Sequence, residues 1–443
     1  MKTSNKIFAL LVSLLFFGSC KTTIESPEPL SGDVEFTTYV ALGSSFTAGY
    51  TDAALYREGQ ENSFPAMLAK VFAEAGGGSF KQPMVQEGVG IGVNGNAKLN
   101  LNYGSLCNGI SGYSTSYAAS AGDQTILTTS VASEGPFNNL GVPGTKSGDF
   151  DDQFFVNPFY ARFASNPGAS TILSDAVSVN PSFFTLLIGI EDVYQYALKG
   201  GDENIASLIT STSDFSDNVN NIVSTLVSSG ADGAIANIPD PDDFPYFTKL
   251  AYDGLVLTQA KANDLNAKYI SIGYNFNFQE GNNPFVMKYD SSGPRYRLLS
   301  AGEYVLISVF VDSVCRGYGS FDFPNNMAWG FEDKDVLTVD ELSYIRQRII
   351  EFNNKLKSVA AANNIAFVDL FDFFRRLHQG IVFNGVAFNS TFIDGKAISL
   401  DGFHPCPQGY ALIANEFIRA INAKFGSTLH EVDVNSYPGI KFP

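Results

Sequence analysis

Two short segments, one near each end of the chain, hold residue types that together can do nucleophilic chemistry. The first is an apolar run entering a Gly/Ser turn, Tyr39-Val40-Ala41-Leu42-Gly43-Ser44-Ser45-Phe46-Thr47-Ala48-Gly49. The second is Leu400-Asp401-Gly402-Phe403-His404-Pro405. A serine hydroxyl becomes a nucleophile only when a base takes its proton, and the base needs a carboxylate to orient it. Ser45 supplies the hydroxyl, and His404 and Asp401 the imidazole and carboxylate, of the three functional groups of a serine esterase. The whole chain has three histidines. His378, in Phe373-Phe374-Arg375-Arg376-Leu377-His378, reads as a solvent-facing helix residue, and His430 as an exposed tail residue. His404 is therefore the credible base.

These groups need elements to position them. Residues 37–42 form a short apolar run rich in strand formers, so Ser45 stands on the turn after a strand. Residues 63–75 carry helical spacing, with Pro65 tolerated in the first turn. Residues 183–188 and 233–238 read as buried strands, the second closed by Pro239-Asp240-Pro241. Residues 213–229 are amphipathic at helical period, and residues 304–311 read as a strand. A long helix over 337–364 opens with the capping-box pattern Thr338-Val339-Asp340-Glu341. A strand at 365–370 and a closing helix at 408–425 follow. Strands alternating with helices indicate an α/β fold with a mostly parallel sheet, whose ligands bind at the carboxyl edge. Residues 76–136 and 275–329 break the rhythm and read as two long loop insertions in a single domain.

Composition bounds the partners. The chain has 443 residues, with 45% hydrophobic and 16% charged, as an ordered globular protein does. A net charge of −17, without any basic stripe, argues against nucleic acid. The 38 phenylalanines read chiefly as core. Asp240, Asp242 and Asp243 surround Pro241 and read as a turn, not a metal site. Trp329 reads as a packing residue. No cofactor and no metal are expected.

The N-terminus reads as an export signal. Lys2 and Lys6 precede an apolar stretch over 7–17, too short to span a bilayer, which ends in Phe17-Gly18-Ser19-Cys20. Small residues before a cysteine resemble a bacterial lipobox. Residues 1–19 are thus a signal peptide, Cys20 the lipidated residue, and residues 20–36 a tether. Residues 37–443 form the domain. Cys107, Cys315 and Cys406 have no CxxC spacing and read as unpaired structural cysteines, although an exported protein has room for one disulfide among them.

Two further blocks lie between the ends: Asn138-Asn139-Leu140-Gly141-Val142-Pro143-Gly144 and Leu186-Leu187-Ile188-Gly189-Ile190-Glu191-Asp192. The four blocks in this order resemble the SGNH/GDSL hydrolase superfamily. Gly43, Ser45, Thr47, Ala48 and Gly49 match its first block, Gly144 its second, Gly189 and Asp192 its third, and Asp401 and His404 its last. Ala236-Asn237-Ile238-Pro239-Asp240 and His404-Pro405-Cys406-Pro407-Gln408-Gly409-Tyr410-Ala411 resemble a subgroup of exported lipoprotein hydrolases from Bacteroidetes-type bacteria. The resemblance covers nearly all of the chain from Thr37 onward. It implies a three-layer α/β/α sandwich (SGNH/flavodoxin-like) and hydrolysis of carboxylic esters, on an acylated glycan or a lipid, through a Ser45 acyl-enzyme. It also implies an oxyanion hole built from the N–H groups of Ser45 and Gly144 and the third-block side chain, and anchorage in the outer membrane of a Gram-negative bacterium.

The chain departs from the family pattern at two positions. Ser44 stands where the family has Asp, which leaves the triad carboxylate at Asp401 untouched. Glu191 stands where the family has the Asn that donates to the oxyanion. An ionised carboxylate there repels the developing charge, and loss of one donor costs roughly a hundred- to a thousandfold in turnover. Three readings follow: Glu191 turned away while another group donates, Glu191 held protonated and donating, or a catalytically impaired surface lipoprotein whose cleft binds a glycan or lipid.

Overall fold

Short apolar runs separated by helices pair into one sheet. In the computed structural model, which describes residues 28–105, 111–201, 208–289, 295–308 and 311–443, its strands are β1 (Tyr39–Gly43), β2 (Asn139–Gly141), β3 (Phe183–Leu187), β4 (Asp232–Ala236) and β5 (Ala366–Val368). Their order is β5-β4-β3-β1-β2, and every pairing is parallel. Strands β1, β2 and β3 are buried at every position, as strands covered on both faces are. The chain leaves β1 toward β2 on one side and leaves β3 toward β4 on the other. A crevice therefore opens between the carboxyl ends of β1 and β3, where such sheets bind ligands.

Helices cover both faces. Helix α1 (Ser45–Ala48) follows β1 directly, and α2 (Phe64–Glu74) packs on the closing helix α6 (Pro407–Phe425) through the stacked rings of Phe64 and Phe417, 5.0 Å apart. The other layer holds α3 (Ile190–Ala197), α4 (Thr212–Ser228) and α5 (Val339–Ala362), with Phe215 stacked on Phe352 at 3.8 Å. Ser63 caps α2 with Pro65 in the first turn. The capping box of α5 forms as its sequence predicts: the Thr338 N–H donates to Glu341 Oε2 at 2.7 Å, and the Glu341 N–H donates back to Thr338 Oγ1 at 3.4 Å. The three-layer α/β/α fold expected from the sequence is the one observed.

Four local expectations need correction. The run at 304–311 is not a strand of the central sheet. Among its described residues only Tyr304–Val305 is extended, antiparallel to Val336–Leu337, and Val311–Cys315 is helical. A short apolar run looks alike in either state, and tertiary packing chooses. The tether is shorter than residues 20–36. Val34 and Phe36 are buried, Phe36 stacks on Phe72 at 4.1 Å, and Asp33 N–H bonds to Phe425 O at 2.8 Å. The 76–136 segment is not wholly irregular, since Leu99–Ser105 and Ser111–Tyr117 pair as a hairpin. The second insertion is more than a loop and begins before 275. It carries its own apolar clusters, one around Tyr269, Phe278 and Phe321 and another around Phe285, Val305 and Phe331. Trp329 lies within it, 5.0 Å from the Tyr318 ring.

Cys20 and Cys107 lie outside the described residues, as do residues 1–19. Cys315 is disulfide-bonded, contrary to the unpaired reading, and Cys406 is a free, buried thiol. Among the described residues no helix is long and apolar enough to cross a membrane.

Candidate active site

Ser45 opens α1 at the carboxyl end of β1 and is 2% exposed. A strand can turn into a helix this sharply because Gly43 precedes it: a Cβ there would lie 2.5 Å from Leu187 O on β3. The Ser45 N–H is a first-turn group, which no intrahelical carbonyl can accept. Ser44 caps α1 without a side-chain bond, and its buried hydroxyl has no partner.

The far end of the chain meets this turn. His404 Nδ1 and Asp401 Oδ2 are 2.9 Å apart, and both side chains are nearly buried. The His404 ring packs among Tyr50, Phe403 and Phe46, with centroids at 4.6, 5.2 and 5.4 Å. Phe46 is the residue after Ser45, so the imidazole sits beside the turn that carries the hydroxyl. Asp401 also accepts the N–H groups of Phe403 at 2.9 Å, His404 at 2.8 Å and Ala53 at 2.8 Å. Burial by itself raises the Asp401 carboxyl, but His404 and these hydrogen bonds outweigh it and hold the group below its ordinary value.

The second and third blocks close the other side. Gly144 has φ of +82°, in the left-handed region that glycine enters freely. Its loop is tied at three points. Asn157 Nδ2 donates to Pro143 O at 2.9 Å, Gln195 Nε2 donates to Gly144 O at 2.8 Å, and Asp192 accepts the Ser147 N–H at 2.9 Å and hydroxyl at 2.6 Å. Asp192 is thus a structural anchor. Gly189, with φ of +98°, starts α3 and aims its first turn at the crevice.

Glu191 faces Ser45, so the reading in which it turns away is overturned. The Ser45 hydroxyl donates to Glu191 Oε1 at 3.0 Å, and the Gly144 backbone and the Gln195 side chain lie close enough to the carboxyl to lower its pKa. Burial raises its pKa, while the His404 charge and these three neighbours pull the other way without cancelling the rise. The carboxyl therefore stands among the donors that a reacting oxyanion would use.

Three supporting residues escaped the sequence. Asp52 accepts the Leu400 N–H at 3.0 Å and the Tyr56 hydroxyl at 2.8 Å, and its own N–H donates to Ser399 Oγ at 3.0 Å. Tyr50 walls His404, and Gln195 sits one helical turn after Glu191. A carboxylate in the apolar context Gly49-Tyr50-Thr51-Asp52-Ala53-Ala54-Leu55 was the available signal for Asp52. His378 bonds to Ser390 at 3.1 Å and His430 is exposed, both away from the site. Asp240 caps the turn at Pro241–Asp243 and, with Asp242, pairs with Arg346. Among the described residues no group of three or more His, Cys, Asp or Glu is placed to hold a metal ion.

No protein-family model and no curated protein matches the chain. Among solved structures it is similar to LAE5, an alpha/beta hydrolase enzyme from the metagenome of Lake Arreo, Spain, at 11% identity and a TM-score of 0.37, covering 88% of this chain and 96% of that one. It is also similar to Axe2, an acetylxylan esterase from Geobacillus stearothermophilus, at 10% identity and a TM-score of 0.35, covering 88% and 96%. A candidate SGNH hydrolase from Slackia heliotrinireducens aligns at 11% identity and a TM-score of 0.32, covering 87% and 98%.

Proposed function

We propose that the chain is an exported serine ester hydrolase of the SGNH/GDSL type. The observation that carries this reading is the meeting of two segments more than 350 residues apart. Ser45 stands at the crevice between β1 and β3, and the hydrogen-bonded Asp401–His404 pair packs beside its turn. In this reading His404, with Nδ1 engaged by Asp401, takes the Ser45 proton on its other ring nitrogen. Ser45 Oγ bonds to the ester carbonyl carbon, and the carbonyl electron pair moves onto its oxygen. Collapse of that adduct expels the alcohol, which takes the proton from His404. Water repeats the sequence on the acyl-enzyme and regenerates Ser45. No cofactor takes part. The substrate class is an acylated glycan or a lipid ester.

Export and anchorage belong to the same proposal. They rest on Lys2, Lys6, the apolar stretch 7–17 and Cys20, and the disulfide at Cys315 fits an oxidising compartment. Lipidation at Cys20 places the protein on a membrane, in this reading the outer membrane of a Gram-negative bacterium.

A second reading is favoured by one observation: Glu191 occupies the position of an oxyanion donor and holds the Ser45 proton. In that reading the protein is a surface lipoprotein whose cleft binds a glycan or lipid without turnover. The two separate cleanly on the protein lacking its first twenty residues. A hydrolase turns over p-nitrophenyl acetate or butyrate, loses that turnover in Ser45→Ala, and is labelled at Ser45 by a fluorophosphonate. A binding protein shows neither turnover nor labelling.

A further inference from the structure

Glu191 is the one site residue that the serine-hydrolase scheme leaves without a role, and its contacts define one. It receives the Ser45 hydroxyl, and the Gly144 backbone stands beside it; both groups border the space a carbonyl oxygen must enter. Gln195 stands beside the Glu191 carboxyl and donates to Gly144 O at 2.8 Å, so the side chain and the hole are built as one unit. The site is not a gap left by a lost amide.

We propose that Glu191 is the third oxyanion-hole donor in its carboxylic-acid form. This rests on the serine-hydrolase reading above and extends it. Protonated, Glu191 turns its O–H toward the carbonyl oxygen and does the work of an amide N–H. Ionised, it has no proton to give, keeps the Ser45 hydroxyl for itself and repels the charge that attack would create. As Ser45 Oγ bonds to the carbonyl carbon, the Ser45 proton passes to His404. The new oxyanion is held by the Glu191 O–H and the N–H groups of Gly144 and Ser45, and Glu191 keeps its proton throughout. Burial raises the carboxyl and so favours the acid form.

The groups facing Glu191 set which form is present. His404, with Asp401 behind it on Nδ1, comes from the turn at 401–404, Tyr50 from the segment after α1, and Lys146 from the loop after Gly144. Asp192, on Glu191's own helix, is turned to Ser147. Burial pushes the Tyr50 phenol far up, so it stays neutral, and Asp401 stays ionised. Turnover needs a proton on Glu191 and an imidazole free to accept one from Ser45. Losing the Glu191 proton at high pH stops the reaction, as does a base already protonated at low pH.

The test is the pH dependence of ester turnover by the full chain in detergent, with Glu191→Gln and Glu191→Ala alongside. Gln supplies a permanent N–H at nearly the same reach. The native protein is expected to show a bell-shaped profile. Glu191→Gln is expected to lose the alkaline limb and keep the acid limb, and to exceed Glu191→Ala by about a hundredfold or more. Thermal unfolding and fluorophosphonate labelling of Ser45 confirm that each variant is folded and has a reachable nucleophile. An alkaline limb that persists in folded Glu191→Gln overturns the proposal, as does a Gln variant no faster than the Ala variant. A native protein with turnover but no alkaline limb also overturns it and leaves the hydrolase reading standing. A native protein with neither turnover nor labelling overturns the hydrolase reading, and the Glu191 role falls with it.

Discussion

Asp52 Oδ1 accepts the Leu400 N–H at 3.0 Å across a sequence separation of 348 residues. This bond belongs to a clasp that joins the segment after the Ser45 turn to the loop carrying His404. Asp52 N–H reaches Ser399 Oγ, and Ala53 N–H reaches Asp401 Oδ2. Asp52 and Ala53 both have left-handed backbones, with φ of +49° and +63°. Neighbouring non-glycine residues hold that conformation only where surrounding bonds repay the strain.

Removing the clasp is expected to loosen the base before it unfolds the protein. Asp52→Ala strands the Leu400 N–H and the nearly buried Tyr56 hydroxyl, at a cost of about 1–3 kcal/mol. Ester turnover should fall through kcat with KM little changed, because the Asp401–His404 loop is mispositioned while the cleft is kept. Urea unfolding together with steady-state kinetics checks both parts.

The two carboxylates of the clasp should respond to pH with opposite signs. Burial pushes Asp52 up to about 6, so the fold favours its protonated form. Its stabilisation is complete below the ordinary Asp value of about 4 and is lost as pH rises through about 6. Asp401 is held below its ordinary value, so its contribution is present above about 4 and is lost as pH falls through the folded value. Thermal midpoints measured across acid pH should therefore lose one limb in Asp52→Asn and the other in Asp401→Asn. Asp401→Asn should also cut turnover by roughly ten-thousandfold, as losing the orienting carboxylate of a serine triad does.

Gly144→Ala tests the backbone donor without crowding the site. The nearest atom to an added Cβ is Asn157 Nδ2 at 3.9 Å, so there is room, but φ is +82°. The backbone strain costs about 1–2 kcal/mol, which should turn the N–H away from the hole. Turnover is expected to drop by about tenfold to a hundredfold, with Ser45 still labelled by a fluorophosphonate.

Phe36 tests where the domain begins. It is 1% exposed and stacks on Phe72. Phe36→Ala should cost about 3–5 kcal/mol in urea unfolding, as emptying a buried phenylalanine site does. A chain trimmed after residue 29 should keep its stability, and one trimmed after residue 36 should not.

Much of the frame was legible locally. The apolar runs of β1, β3 and β4 and the amphipathic runs of α4 and α6 carry their burial in their own spacing. Ser63 and Thr338 announce the helices they cap. Strand β2 was harder, because three residues give no period, and Asn139–Gly141 becomes a strand only through its pairing with β1. The insertion between β4 and α5 hid its small cores for a related reason. Tyr269 and Phe321 lie far apart in the chain, and their 5.8 Å contact belongs to the fold, not to either segment.

The division at the site is similar. Sequence alone determined the inventory: Ser45 after an apolar run, Asp401 three residues before His404, glycines at 144 and 189, and a Glu at 191. Spacing of three residues in a tight turn is enough to let Asp401 reach the imidazole, so that pair was locally encoded. The direction of Glu191 was not, because it depends on how α3 leaves β3 beside β1 and on where Gly144 and Gln195 then stand. Only the tertiary structure turned that carboxyl onto Ser45. Only the tertiary structure brought Asp52 under Leu400, since a hydrogen bond across 348 residues exists once the sheet has closed the distance between the chain's two ends.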